Sequence, residues 1–200
     1  MRFGLLWTWA VSAILMAGAA LPSPAEATTR RRAVYEGRMR VVDGDTLRLG
    51  GDSLRLWGAD APEGDQYCLL DRRPLACGQL ARDELRRMID GRRVRCEYRD
   101  WQEGHMAFYP PRAIVWCTVA GIDIGDWLVS RGLAVPTFTP LYVRVGELAC
   151  NSRRGLWAGA WSEPYWWRLN RERAAHGLGA QSGRSCRKAF RDIRARIARN

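Results

Sequence analysis

The sequence predicts an α+β domain, because short strand-like runs fill its first part and amphipathic helical patterns recur in its second. The clearest strand signal runs from Val41 to Trp57. Val41, Thr46, Leu47, Leu49, Leu54, Leu56 and Trp57 fall in short runs around the tight-turn signal Gly50-Gly51-Asp52, which reads as a β-meander. The helical pattern appears three times after Cys77, and each time a glycine stops it.

Ahead of the domain, Met1 to Ala27 carries a basic Arg2, an apolar run from Phe3 to Leu21 and the small-residue site Ala25-Glu26-Ala27. That is the pattern of a secretory signal, with Thr28 opening the mature chain. The apolar run is slightly long for a signal, so an uncleaved membrane anchor is the alternative. Either way the domain is expected outside the cytosol, periplasmic or secreted, with no stable membrane association once the signal is removed. We divide the remainder into an N-terminal arm (28–37), one folded domain (38–168) and a basic tail (169–200). The sequence shows no internal repeat, and about 170 residues suffice for one full core.

The first helix is predicted between Cys77 and Asp90, where Ala81, Leu85, Met88 and Ile89 share one face and Gly91 is the stop. A second spans Ile124 to Arg131 before Gly132, and a third runs from about Val143 to Arg154 before Gly155. Trp157, Trp161, Trp166 and Trp167 crowd the region that follows. Trp157 reads as core; the others read as packing, a stacking platform or an interfacial belt. Past Asn170 the chain loses apolar pattern, until Phe190, Ile193 and Ile197 resume helical spacing in a basic amphipathic end.

Six cysteines, Cys68, Cys77, Cys96, Cys117, Cys150 and Cys186, all follow the leader. An even count without a C-x-x-C motif in an exported chain reads as disulfides rather than metal ligands. Cys96 and Cys117 lie in two strand patterns that face each other if a hairpin turns near His105 and Met106. Cys68 and Cys77 bracket the step into the first helix. Those two pairs leave Cys150 with Cys186 by exclusion, with buried free thiols as the alternative.

The net charge is +11, of which residues 171–200 carry +7, and every basic residue except Lys188 is arginine. Such a chain suits an anionic polymer, since neutralising phosphates releases counterions without choosing sequence. The alternative is that arginine serves only solubility.

The chemistry concentrates between Asp43 and Glu63. Asp43, Asp45, Asp60 and Glu63 all stand at strand ends, where neighbouring turns can gather them. Hard oxygen donors without a nearby Cys or His suit calcium or magnesium rather than zinc. Read separately, Asp43-Gly44-Asp45 is a hairpin turn and Asp60 to Glu63 a solvated loop. Arg55 shifts that balance, because acids, a guanidinium and a metal at one sheet end are what phosphate chemistry requires.

These residues resemble a known family. D-G-D-T followed by R-L-x-G-x-D-x-P-E is similar to the staphylococcal nuclease (thermonuclease) family, and the likeness continues through R-A-I-V-W-C, I-G-D-W-L-V-S-R-G-L-A and R-R-G-L-W. The resemblance implies a five-stranded OB-fold β-barrel with three helices, and calcium-dependent hydrolysis of DNA and RNA, preferably single-stranded, by a monomer. It further implies calcium (Ca2+) held by Asp45, Asp60 and the carbonyl of Ala61, where the family usually has Thr, with Asp43 in the outer shell. Glu63 would orient or deprotonate the attacking water, and Arg55 and Arg112 would hold the phosphate. Tyr142 resembles an aromatic substrate contact. The family leads into the second arginine with D-x-Y-G-R, whereas this chain has F-Y-P-P-R. Pro110 and Pro111 stiffen the loop, and Tyr109 is the substitute for the missing tyrosine. A catalytically silent OB-fold that binds nucleic acid is the second reading, and a carbohydrate role built on the tryptophans the third.

Overall fold

A computed structural model describes residues 33–103, 111–174 and 186–199, without the side chains of residues 170–174. The leader, Tyr109 and the expected turn at His105 and Met106 lie outside the described residues. The fold is α+β, with a curled, half-barrel-like sheet and helices around it. Among the described residues its main sheet has seven strands rather than five, in the order β1 (Val34–Gly37), β8 (Val94–Gln102), β9 (Arg112–Val119), β4 (Asp52–Leu56), β3 (Thr46–Leu49), β2 (Arg40–Asp43), with β10 (Ile122–Asp123) added to β9, while β6 (Cys68–Leu70) and β7 (Arg73–Leu75) form a separate hairpin. The expected meander is β2, β3 and β4, paired antiparallel through Val41 with Leu47 and Leu47 with Leu54. β4 then joins β9 in parallel, Leu54 beside Ala113. Residues 34–37, expected as part of an arm, are the edge strand on β8.

Alternating side chains explain the core. Leu47, Leu54, Leu56, Val94 and Val115 are buried on the inner face together with Leu85 and Ile124 from two helices. The first of these, α1 (Cys77–Ile89), buries Ala81, Leu85, Met88 and Ile89, the face its sequence spacing predicts. The second, α2 (Ile124–Ser130), starts where Asp123 accepts hydrogen bonds from the backbone N–H groups of Gly125 and Asp126. The third, α3 (Val143–Asn151), stops three residues short of the expected Arg154. Arg153 there adopts a left-handed φ of 52°, and the Arg154 N–H turns back to the Ala149 carbonyl at 3.0 Å.

Two further helices were not expected at this extent, α4 (Pro164–Ala174) and α5 (Cys186–Ile197). The spacing of Phe190 and Ile193 did announce the second. Both are buried against Val143, Ala149 and Trp157, forming a second core cluster. Trp157 is core, with Trp161 meeting it edge-on at 4.7 Å between ring centres. The basic C-terminal end is therefore a packed element of the domain in its last helix.

All three expected disulfides are present: Cys68–Cys77, Cys96–Cys117 and Cys150–Cys186. Cys96 and Cys117 are direct partners in the β8–β9 ladder. Three disulfides fit an oxidising compartment outside the cytosol. Among the described residues no helix is long and apolar enough to cross a membrane.

Candidate functional site

The site grows out of the β2–β3 turn. Gly44 allows it, because a Cβ there would stand 2.7 Å from the Ala61 Cβ and 3.0 Å from that of Ala81, so only glycine lets the Asp60 segment and α1 close over the turn. Asp45 then points inward, 4% exposed, with every oxygen engaged. Its Oδ1 accepts from the Thr46 hydroxyl at 2.9 Å and Arg55 Nη1 at 3.1 Å, and its Oδ2 from the Ala61 N–H at 3.1 Å. Arg55 Nη2 reaches the same carboxylate at 3.0 Å.

Arg55 is 5% exposed and joins two acids, since Nη2 also donates to Asp60 Oδ1 at 2.5 Å. Burial would strip its proton, but Asp45 and Asp60 outweigh that and hold the guanidinium charged more firmly than usual. Asp60 is 2% exposed and sits on β5 (Ala59–Asp60), pinned by pairing with Val135 of β11 (Val135–Pro136).

The sequence reading missed Arg168. It comes from α4 and clasps the far side of the cluster. Nη1 donates to Asp60 Oδ1 at 2.9 Å and Glu63 Oε1 at 2.7 Å, and Nη2 to Asp60 Oδ2 at 2.9 Å. Burial would raise the Asp60 carboxyl, but Arg168 and Arg55 outweigh it and hold the group below the usual carboxylate range. Glu63 is pushed the other way, by burial first and the Asp45 charge second, against the pull of Arg168. Asp43 is likewise raised, by burial and Asp45, while its Oδ1 accepts from the Gly44 N–H at 2.9 Å. Asp45, Asp60 and Glu63 thus hold the guanidiniums of Arg55 and Arg168 with negative charge in excess, while Asp43 stands beside Asp45 with Arg82 as its nearby cation.

Two more residues place Glu63. Gln66, fully buried, donates its backbone N–H to the Glu63 carbonyl at 2.7 Å and its Nε2 to the Ser162 carbonyl at 2.6 Å, tying the acidic loop to the segment leading into α4. Gly78, in the first turn of α1, lies against the same loop. A Cβ there would come within 1.7 Å of the Glu63 carbonyl oxygen. Gly78→Ala should therefore displace the loop and destabilise the fold by about 1–3 kcal/mol, the usual cost of overpacking, despite the better helix propensity of alanine. Urea unfolding checks it, and an unchanged midpoint would show that the loop yields freely.

Arg112 opens β9, beside the strand of Arg55, and its Nε donates to Gln102 Oε1 at 2.8 Å. Tyr142 is corrected from a substrate contact to a core residue. It is 2% exposed beneath Gly58 and Gly125, and its hydroxyl donates to the Asp123 carboxylate at 2.8 Å. Burial and that carboxylate push its pKa far up. Pro111 is exposed at the loop end, and Tyr109 lies outside the described residues.

The oxygen donors suit a hard cation in type. In this arrangement, however, both Asp60 oxygens are taken by arginine, and among the described residues no group of three or more His, Cys, Asp or Glu side chains is placed to hold a metal ion.

No protein-family model matches the chain. It is 30% identical over 158 residues to the succinoglycan biosynthesis protein ExoI of Rhizobium meliloti (strain 1021), an alignment covering 76% of this chain and 73% of that protein. With that identity over most of both chains, this protein belongs to the family of the succinoglycan biosynthesis protein ExoI.

Proposed function

We propose that the curled sheet is an OB-fold barrel of the staphylococcal nuclease kind, and that the chain is an exported, calcium-dependent nuclease hydrolysing phosphodiesters of DNA and RNA. The observation that carries this reading is Arg55 bound between Asp45 and Asp60, with Glu63 fixed beside Asp60. A carboxylate held near a guanidinium and two further acids is a set able to position water, phosphate and a cation together. The net charge of +11 favours a polyanionic substrate.

Asp45, Asp60 and the Ala61 carbonyl would hold calcium, which when bound supplies positive charge to the phosphate oxygens. Glu63 takes the proton of the attacking water on its carboxylate, and its raised pKa makes it a better base near neutrality. Arg112 donates to the phosphate as charge grows on its oxygens. Arg55 is committed to Asp45 and Asp60 in this arrangement, so its first role is to set those acids. By the same resemblance, the products end in 3′-phosphates.

The purified, oxidised chain should degrade denatured DNA when calcium is added and stop with chelator. Binding of DNA and RNA without cleavage of either, at any calcium concentration, would leave a silent binding module instead. A second reading, a part in building a glycan, is favoured by the name of the relative. Neither cleavage nor binding of nucleic acid in the same assay would turn the assignment that way.

A further inference from the structure

We propose that Arg168 is the resident counter-cation of the site, and that a divalent cation enters only by exchanging with its guanidinium. This rests on the calcium reading given above and adds a means of control to it. Asp60 is the acid that matters. Its Oδ2 accepts from Arg168 at 2.9 Å, and its Oδ1 accepts from both Arg168 and Arg55. A metal ion approaching either oxygen meets a hydrogen already there. Oδ1 has both lone pairs filled, and at Oδ2 a cation would share the oxygen with a guanidinium of like charge, so cation and arginine compete for Asp60.

The two arginines are not equally able to leave. Arg55 lies in the middle of the sheet, its side chain 6% exposed, and also holds Asp45. Withdrawing it would strand two buried carboxylates. Arg168 has a side chain 23% exposed and stands on α4, whose described side chains add none to the core clusters, so its head can swing into water without breaking the core. Releasing it exposes Asp60 and Glu63 together, a charge of −2 that a dication balances better than one guanidinium.

What holds Arg168 in place is also specific. The turn before α4 is tied to the acidic loop by Gln66 and Ser162, and Glu163 in that turn pairs with Arg196 of α5 at 2.5 Å. Because α5 is bonded to α3 through Cys150–Cys186, the position of Arg168 is set by the folded C-terminal part of the chain. The affinity of the site for metal is therefore written partly in α4 and α5, far in sequence from the acids.

Calorimetric titration of calcium into the metal-stripped full chain tests this. Arg168→Gln, which removes the charge and the fork but keeps a polar chain, should bind calcium at least about tenfold more tightly than wild type, the size of one charge-assisted hydrogen bond. Arg168→Lys, a point charge without the fork, should fall between them. Asp60→Asn should abolish binding in either background. Equal or weaker calcium affinity in Arg168→Gln overturns the exchange, and if circular dichroism shows that variant unfolded, equal affinity in Arg168→Lys does so. If wild type cleaves with calcium but Arg168→Gln binds no tighter, only the exchange falls. If neither wild type nor Arg168→Gln binds calcium at all, the calcium reading itself falls.

Discussion

Glu63→Gln should fold like the wild type and cleave denatured DNA in calcium slower by about 10²-fold or more, the scale of a positioned general base. The substitution keeps the volume of the side chain and its oxygen toward Arg168, so the clasp at 2.7 Å survives in weaker form. What it removes is the lone pair that takes a proton from water. The loop itself is held by backbone contacts of Gln66 and by the close approach of Gly78, neither of which needs the carboxylate. Initial rates on denatured DNA, measured with calorimetric confirmation that calcium still binds, separate the base from a ligand. A variant that cleaves at the wild-type rate would remove Glu63 from the chemistry.

Arg55→Met should cost about 3–5 kcal/mol of stability in chelator, because it deletes the shared partner of two buried carboxylates. Methionine fills much of the same volume, so the loss reports charge rather than a cavity. Asp45 would keep the Thr46 hydroxyl and the Ala61 N–H, and Asp60 would keep Arg168, which sets the lower end of that range. Urea unfolding gives the number, and a loss under about 1 kcal/mol would mean that the pair is as weak as a surface one. Asp60 titrates below its unfolded value of about 3.9, so its stabilisation is complete above that pH and is lost as pH falls through the lower folded value. Metal-free protein should accordingly lose stability on acidification over that window.

The part of the site lying on the meander was legible because it is local. Asp45 and Arg55 are brought together by hairpins whose turn chemistry is written in Gly44 and Gly50-Gly51, and Asp60 stands five residues past Arg55. The disulfides were legible for a related reason, since facing strands put Cys96 opposite Cys117. Arg168 was not, because it lies in a Trp-rich stretch with no clean periodicity and meets Asp60 only once the domain has closed. Tyr142 was misplaced because the local pattern Pro-Leu-Tyr does not reveal that Gly58 and Gly125 open a slot for its ring. The extra strand at Val34–Gly37 and the parallel pairing of β4 with β9 are likewise decided by partners distant in the chain. Gly78 carried a signal in plain view, a glycine inside the first turn of a helix, where propensity argues against one unless something passes close by.

The clasp of Arg168 on Asp60 spans 108 residues, and that of Gln66 on Ser162 spans 96. The hairpins carrying Asp45 and Arg55 close over far shorter stretches, and Asp60 lies only five residues beyond Arg55. Loop-closure entropy makes long-range contacts late to form, so the acids should gather while the C-terminal helices are still unattached. For that interval the repulsion among the acids is relieved by Arg55 alone within the hairpins. Helix α4, whose clasp on Asp60 is one of these long-range contacts, is by the same reasoning an element that local unfolding should release early, so the order of assembly and the order of opening are one path travelled in opposite directions.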